Sequence, residues 1–104
     1  MKYLDTRDLT DISNYCKSRC NKAINEHNKN NIKYYKGKYK GYMYGVTIVN
    51  HLTKNKIKIT DTKLYQTIKE EKLTIQNKYI KDSDLKKGLI DSLYELMNYV
   101  STQQ

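Results

Sequence analysis

The chain has 104 residues, enough for one domain with a modest core, and we interpret residues 1–104 as a single domain. It contains no Phe, Trp or Pro but 11 Tyr, and its formal net charge is +9. No apolar run is long enough to cross a bilayer, and the first residues lack a signal-peptide pattern. We therefore predict a cytoplasmic protein, and neither a membrane protein nor a secreted one.

The positive charge is concentrated in the middle of the chain. Residues 29–81 contain thirteen lysines and three acidic residues, whereas residues 82–104 contain two lysines and four acidic residues. Lys, Asn, Ile and Tyr have AT-rich codons and make up nearly half of the chain, which predicts a bacterial source with an AT-rich genome. Codon bias alone would then supply part of the lysine, without any selection for binding. That bias would spread lysine evenly. The concentration therefore favours nucleic acid or another acidic partner, with a merely solvated face as the alternative.

The first predicted element is an amphipathic helix from about Asp5 to Asn28. Its apolar stripe consists of Leu9, Ile12, Cys16, Cys20, Ala23 and Ile24. Asp5 or Thr6 can cap its start, and the run HNKNN at 27–31 ends it. Because the two cysteines share the inward side, they are typical of reduced, buried thiols. Only His27 and His51 are available as further ligands, so we predict no metal site.

Residues 32–59 are predicted to form a small antiparallel sheet. The β-branched and apolar run at 46–49 favours a strand, TKNK at 53–56 is a turn signal, and residues 57–59 alternate apolar and charged. The segment before them, KYYKGKYKGYMYG at 33–45, would then place lysines on one face and glycine and tyrosine on the other. An alternative makes residues 43–52 a short helix.

Helical spacing returns from Asp61 to Lys72, with Thr60 or Asp61 as the cap. The stretch LTIQNKYI at 73–80 is predicted to be a short strand or hairpin arm. Asp82 or Ser83 caps a final helix that runs to about Val100. Its broad apolar face can pack on the first helix or join a homodimer. The predicted fold class is therefore α+β.

Residues with catalytic potential are few. Both histidines border helical or apolar segments and fit structural roles. The spacing of Gly37, Gly41 and Gly45 matches neither GxxxxGK[ST] nor GxGxxG. We therefore predict no enzymatic activity and no cofactor.

Cations and aromatic rings together are typical of nucleic-acid binding, because phosphates attract lysines and bases stack on rings. The candidate binding residues are Lys33, Lys36, Lys38, Lys40, Lys54, Lys56, Lys58, Lys63, Gln66, Thr67, Lys69, Lys78 and Lys81. The rings predicted to stack on bases or anchor a protein interface are those of Tyr34, Tyr35, Tyr39, Tyr42 and Tyr44. If the tyrosines face away from the lysines, they are more typical of core residues than of rings that stack on bases.

One stretch, TDTKLYQTIKEEKLTIQNKYIKDSDL at 60–85, resembles the recognition helix and wing of an excisionase-like winged helix-turn-helix of the mercury-resistance-regulator type. It departs from that pattern at Gln66, where arginine is usual, and at Glu71, where the turn glycine is usual. The upstream helix of the motif is not evident either. The resemblance implies that Lys63, Gln66, Thr67 and Lys69 face the major groove, with Lys78 and Lys81 on a wing near phosphates.

Two functional hypotheses follow. The first is a small DNA-binding regulator or recombination accessory factor of a phage or other mobile element. The alternative is a phage inhibitor that binds and blocks a host replication, transcription or defence protein. A DNA binder needs its lysines on one continuous face, whereas an inhibitor needs an exposed apolar patch with charge at its rim.

Overall fold

The structure, a computed structural model that describes residues 2–27, 29 and 31–102, is built from helices. They are α1 (Thr6–His27), α2 (Ile32–Lys54), α3 (Asp61–Asn77) and α4 (Ser83–Ser101). Across the described residues the only extended pairing is an isolated β-bridge between Tyr3 and Thr60. The predicted α+β class is therefore wrong, because the part of the chain assigned to a sheet is helical.

Helix α1 confirms the first predicted helix. Asp5 and Asp8 form a reciprocal cap, in which the amide of Asp8 donates to Asp5 Oδ1 at 2.8 Å and the amide of Asp5 donates to Asp8 Oδ2 at 3.1 Å. The predicted apolar stripe is buried except at its end, where Ile24 is 46% exposed. Asn28, the predicted last residue, and Asn30 lie outside the described residues.

Helix α2 replaces the predicted sheet. Asn31 caps it by accepting a hydrogen bond from the amide of Tyr34 at 3.2 Å. Its glycines, four residues apart, lie on one side of the helix, where they let it approach α4 closely. A Cβ atom at Gly37 would overlap the backbone of α4 around Leu85 and Leu89. The glycines and β-branched residues that disfavour a helix locally are thus outweighed by helix–helix packing.

The last two helices also differ from the prediction. Thr60 caps α3 and Asp82 caps α4, as expected. However, α3 continues to Asn77, so residues 73–77 are helical, and residues 78–82 connect it to α4. The short strand or hairpin arm predicted at 73–80 is therefore wrong, and so is the hairpin of the wing that the resemblance implied. Nothing in the described residues forms a winged helix, which needs that hairpin.

The helices pack in the spatial order α1, α2, α4, α3. Helix α2 lies between α1 and α4, and α3 packs on the other side of α4. Consequently the broad apolar face of α4, including Leu93, Leu96 and Val100, is buried within the chain. Within the described ranges α2 and α3 do not pack on each other. Nor does any helix there combine the length and apolar character needed to cross a membrane.

The segment before α1 is tied to the start of α3. The amide of Leu4 donates to the carbonyl of Ile59 at 2.9 Å, and the amide of Asp61 donates to the carbonyl of Lys2 at 2.9 Å. The buried Asp61 carboxylate accepts from the amides of Lys2 and Thr62. These bonds close the bundle at the end opposite the α1–α2 turn.

Candidate binding surface

Helix α2 contains five lysines and no acidic residue, and packing divides those lysines into two groups. Lys33 and Lys38 point toward α4, where they form ion pairs with Asp82 at 3.0 Å and Glu95 at 2.8 Å. The remaining three, Lys36, Lys40 and Lys54, are exposed. Lys36 and Lys54 are eighteen residues apart, which is five helical turns, so they lie on the same side.

The other predicted cationic residues are dispersed. Lys56 and Lys58 lie in the α2–α3 connection, and Lys78 and Lys81 lie in the α3–α4 connection. On α3, Lys63, Gln66 and Lys69 are exposed, while Thr67 Oγ1 donates to the carbonyl of Lys63 at 2.8 Å. Since α2 and α3 are not neighbours, folding does not join the two helices' lysines into one shared ridge.

Among the five tyrosines of residues 33–45, two form hydrogen bonds to carboxylates of α4. Tyr42 is 1% exposed, and its hydroxyl lies 2.5 Å from Glu95 Oε2. Tyr34 donates to Asp91 at 2.7 Å. Tyr35, Tyr39 and Tyr44 are partly buried. Tyr34 and Tyr42 thus pair their hydroxyls with carboxylates of α4, as buried tyrosines require.

A polar cleft of about 350 Å³ lies where α1 and α2 meet α4. Arg19, Lys22 and Lys38 line it together with Glu26 and Glu95. Burial raises the pKa of Glu95, but hydrogen bonds from Lys38 and Tyr42 outweigh burial and hold the pKa below its ordinary value. The cleft therefore contains three cations and two carboxylates, and Lys38 and Glu95 form an ion pair within it.

The two thiols are free and buried. Cys16 is fully buried, and burial raises its pKa to about 12, which opposes the thiolate form that reacts or binds metal. In residues 2–27, 29 and 31–102 there is no cluster of His, Cys, Asp or Glu that could hold a metal ion.

Two clefts lie along the other side of the α1–α2 pair. One, of about 390 Å³, is predominantly apolar and is lined by Ala23, Ile24, His27, Ile32, Tyr35, Lys36 and Tyr39. The second, of about 420 Å³, is lined by Leu9, Thr10, Ser13, Asn14, Lys17, Val49, Asn50, Thr53 and Lys54. We call the side of the pair that carries both clefts, marked by Lys17, Ile24, Ile32, Lys36, Tyr39 and Lys54, the groove face.

The groove face combines exposed aliphatic side chains with positive charge. Ile32 is 56% exposed and Ile24 is 46% exposed. Met43, two turns along α2 from Lys36, is also exposed on this side. No acidic residue is among the described residues that line either cleft.

Sequence analysis missed this surface because Ile24 was assigned to the core stripe of α1 and Ile32 to a sheet. The sequence did contain one sign of this surface. Ile24 directly follows Ala23, so the apolar stripe of α1 is broader there than the area that one neighbouring helix covers. The pairing of α1 with α2, which places Ile24 beside Ile32, could not be derived from that pattern.

Comparison with known proteins gives no relative from which to assign this surface: no family model, curated protein or solved structure matches the chain.

Proposed function

We propose that this is an interaction protein that binds another protein through its groove face. The observation that supports this function best is the apolar cleft in which Ile24 and Ile32 remain about half exposed, with Lys36 at its edge. An apolar patch with a charged rim has the composition of a protein-binding surface. Binding of this kind would block the surface of the target that it covers, which is how a small inhibitor acts.

The distribution of charge favours this proposal over a nucleic-acid-binding surface formed by all the lysines. Two of the α2 lysines are occupied by carboxylates of α4, and the α3 lysines lie on a helix that does not pack on α2. The exposed cations are therefore spread around the molecule. Two exposed aliphatic side chains, Ile24 and Ile32, by contrast, lie together in one cleft.

Site-specific photocrosslinking in cells of the source organism tests the proposal. A photoreactive phenylalanine analogue replaces Ile32 in one variant and Leu73 in the other, since Leu73 is 44% exposed on α3, away from the groove face. We expect a discrete, nuclease-resistant protein adduct from position 32 only. Equal labelling from both positions, or no adduct from position 32, would contradict the proposal.

Nucleic acid remains a second candidate partner because α2 has no acidic residue and aligns Lys36 with Lys54 on one side. Lysines presented in this way can neutralise phosphates. The same crosslinking experiment separates the two candidates, since nuclease would shorten a nucleic-acid adduct from position 32 but would leave a protein adduct unchanged.

A further inference from the structure

We infer that the partner presents an acidic amphipathic helix, which lies along the groove between α1 and α2. This inference rests on the proposed function and specifies the chemistry of the partner. Docking of an amphipathic helix into a groove between two helices is an established mode of recognition, in which apolar anchors occupy the groove and polar residues contact its rim.

The dimensions of the groove face suit a helix. Both clefts lie between the same two helices, one near the α1–α2 turn and the other near Leu9 and Lys54. The eighteen residues from Lys36 to Lys54 extend about 27 Å along the α2 axis. A helix of about five turns therefore spans both clefts, and its side chains can pack between the two rows of groove side chains.

The chemistry of the groove face specifies which helix fits. Its aliphatic side chains, Ile24 and Ile32, lie in the cleft near the α1–α2 turn and would receive apolar anchors. Lys17 and Lys54 line the other cleft and Lys36 borders the first. Since the described lining residues include no carboxylate, only the partner can supply the negative charge that complements these cations.

The same charges argue against two other occupants. A second copy of this chain would bring the same cations onto the same surface, and like charges oppose such a contact. A phosphate backbone would pair with Lys36 and Lys54, but it has no apolar group to cover Ile24 and Ile32. An acidic amphipathic helix satisfies both the charged and the apolar parts of the groove face.

The test uses the full chain, labelled with ¹⁵N, and three synthetic helical peptides of equal length. The first has a leucine stripe flanked by glutamates, the second has lysines in place of those glutamates, and the third has the first composition scrambled so that no stripe forms. We expect the first peptide to bind at least tenfold more tightly than the others. Its amide shift changes should be confined to α1 and α2 on the groove face.

A charge exchange makes the test specific. Lys36→Glu/Lys54→Glu changes two exposed side chains of the groove face, so we expect it to fold and to prefer the lysine peptide over the glutamate peptide. Lys69→Glu/Lys78→Glu makes the same change in net charge on exposed residues elsewhere, and should keep the original preference. Equal binding of the scrambled peptide, or shift changes outside the groove face, would overturn the inference.

The outcome can be separated from that of the proposed function. A protein adduct from position 32 without binding of the glutamate peptide would overturn the acidic helix while leaving the proposed function supported. Specific binding of the glutamate peptide without a protein adduct in cells would support the acidic-helix chemistry and refute the proposed function. If both experiments are negative, both proposals are wrong.

Discussion

Replacing Gly88 by alanine should destabilise the protein, although alanine is the better helix former. A Cβ atom at position 88 would overlap the carbonyl oxygen of Tyr34 and would lie 2.8 Å from the amide nitrogen of Lys38. These atoms belong to the backbone of α2, so they cannot rotate away as a side chain would. The clash can be relieved only if α2 and α4 move apart.

The expected magnitude follows from two opposing effects. Alanine is favoured over glycine by about 1 kcal/mol in a helix interior. Restoring van der Waals contact requires the helices to separate by roughly 1 Å, and overpacking typically costs about 1–3 kcal/mol and occasionally more. Because the added Cβ atom would meet backbone atoms, which cannot rotate away, we take the upper end of this range, about 3 kcal/mol, as the cost of overpacking. The net loss is then about 2 kcal/mol, which lowers Tm by roughly 8–16 °C in a domain of this size.

Urea and thermal unfolding, followed by far-UV circular dichroism, measure this loss. Gly45→Ala is the matched control, because its Cβ would meet the side-chain atoms Cys16 Sγ at 2.6 Å and Leu96 Cδ2 at 2.8 Å, which can shift. We expect it to cost clearly less than Gly88→Ala. An increase in stability in Gly88→Ala would refute the close approach of α2 and α4.

Three further predictions concern the partly buried Lys38–Glu95 ion pair, a helix terminus and the exposed lysines. The pKa of folded Glu95 lies below its ordinary value of 4.5, so its contribution to stability is present above about pH 4.5 and is lost as the pH falls through the folded pKa. Urea unfolding of Glu95→Gln should therefore show a smaller loss of stability on acidification than the unchanged chain, and an equal loss would contradict the pairing. Lys56, two residues after the end of α2, has a φ of 54°, a left-handed conformation that favours glycine. Lys56→Gly should therefore raise the free energy of unfolding by up to about 1 kcal/mol. A decrease would contradict this conformation at the helix terminus. If duplex DNA is a partner, anisotropy titrations at several salt concentrations should show log affinity falling with log salt. Lys36→Gln and Lys40→Gln should each reduce the magnitude of that slope by about 0.9, while Lys69→Gln should leave it unchanged. Binding that is insensitive to salt would exclude phosphate contact.

Sequence patterns were sufficient where a helix has one dominant apolar stripe and a polar cap. The stripe from Leu9 to Ala23 predicted α1, and Thr60 and Asp82 were correctly expected to cap α3 and α4. The same kind of pattern gave the wrong prediction for residues 32–54, because glycines and β-branched residues there lower the helix propensity. It failed again at residues 73–77, where a strand-like run continues α3. Local preferences of under about 1 kcal/mol per residue are easily overridden by tertiary packing.

The sequence by itself determined the concentration of lysine in residues 29–81, the amphipathic character of α1 and α4, and the polar residues that start the helices. Only the tertiary structure decided that α2 is a helix, because Gly37 and Gly41 on α2, together with Gly88 on α4, let the two helices approach closely. It also decided which lysines are neutralised and which remain exposed, and it placed Ile24 beside Ile32. These outcomes depend on contacts between residues far apart in the chain, and local periodicity does not encode such contacts.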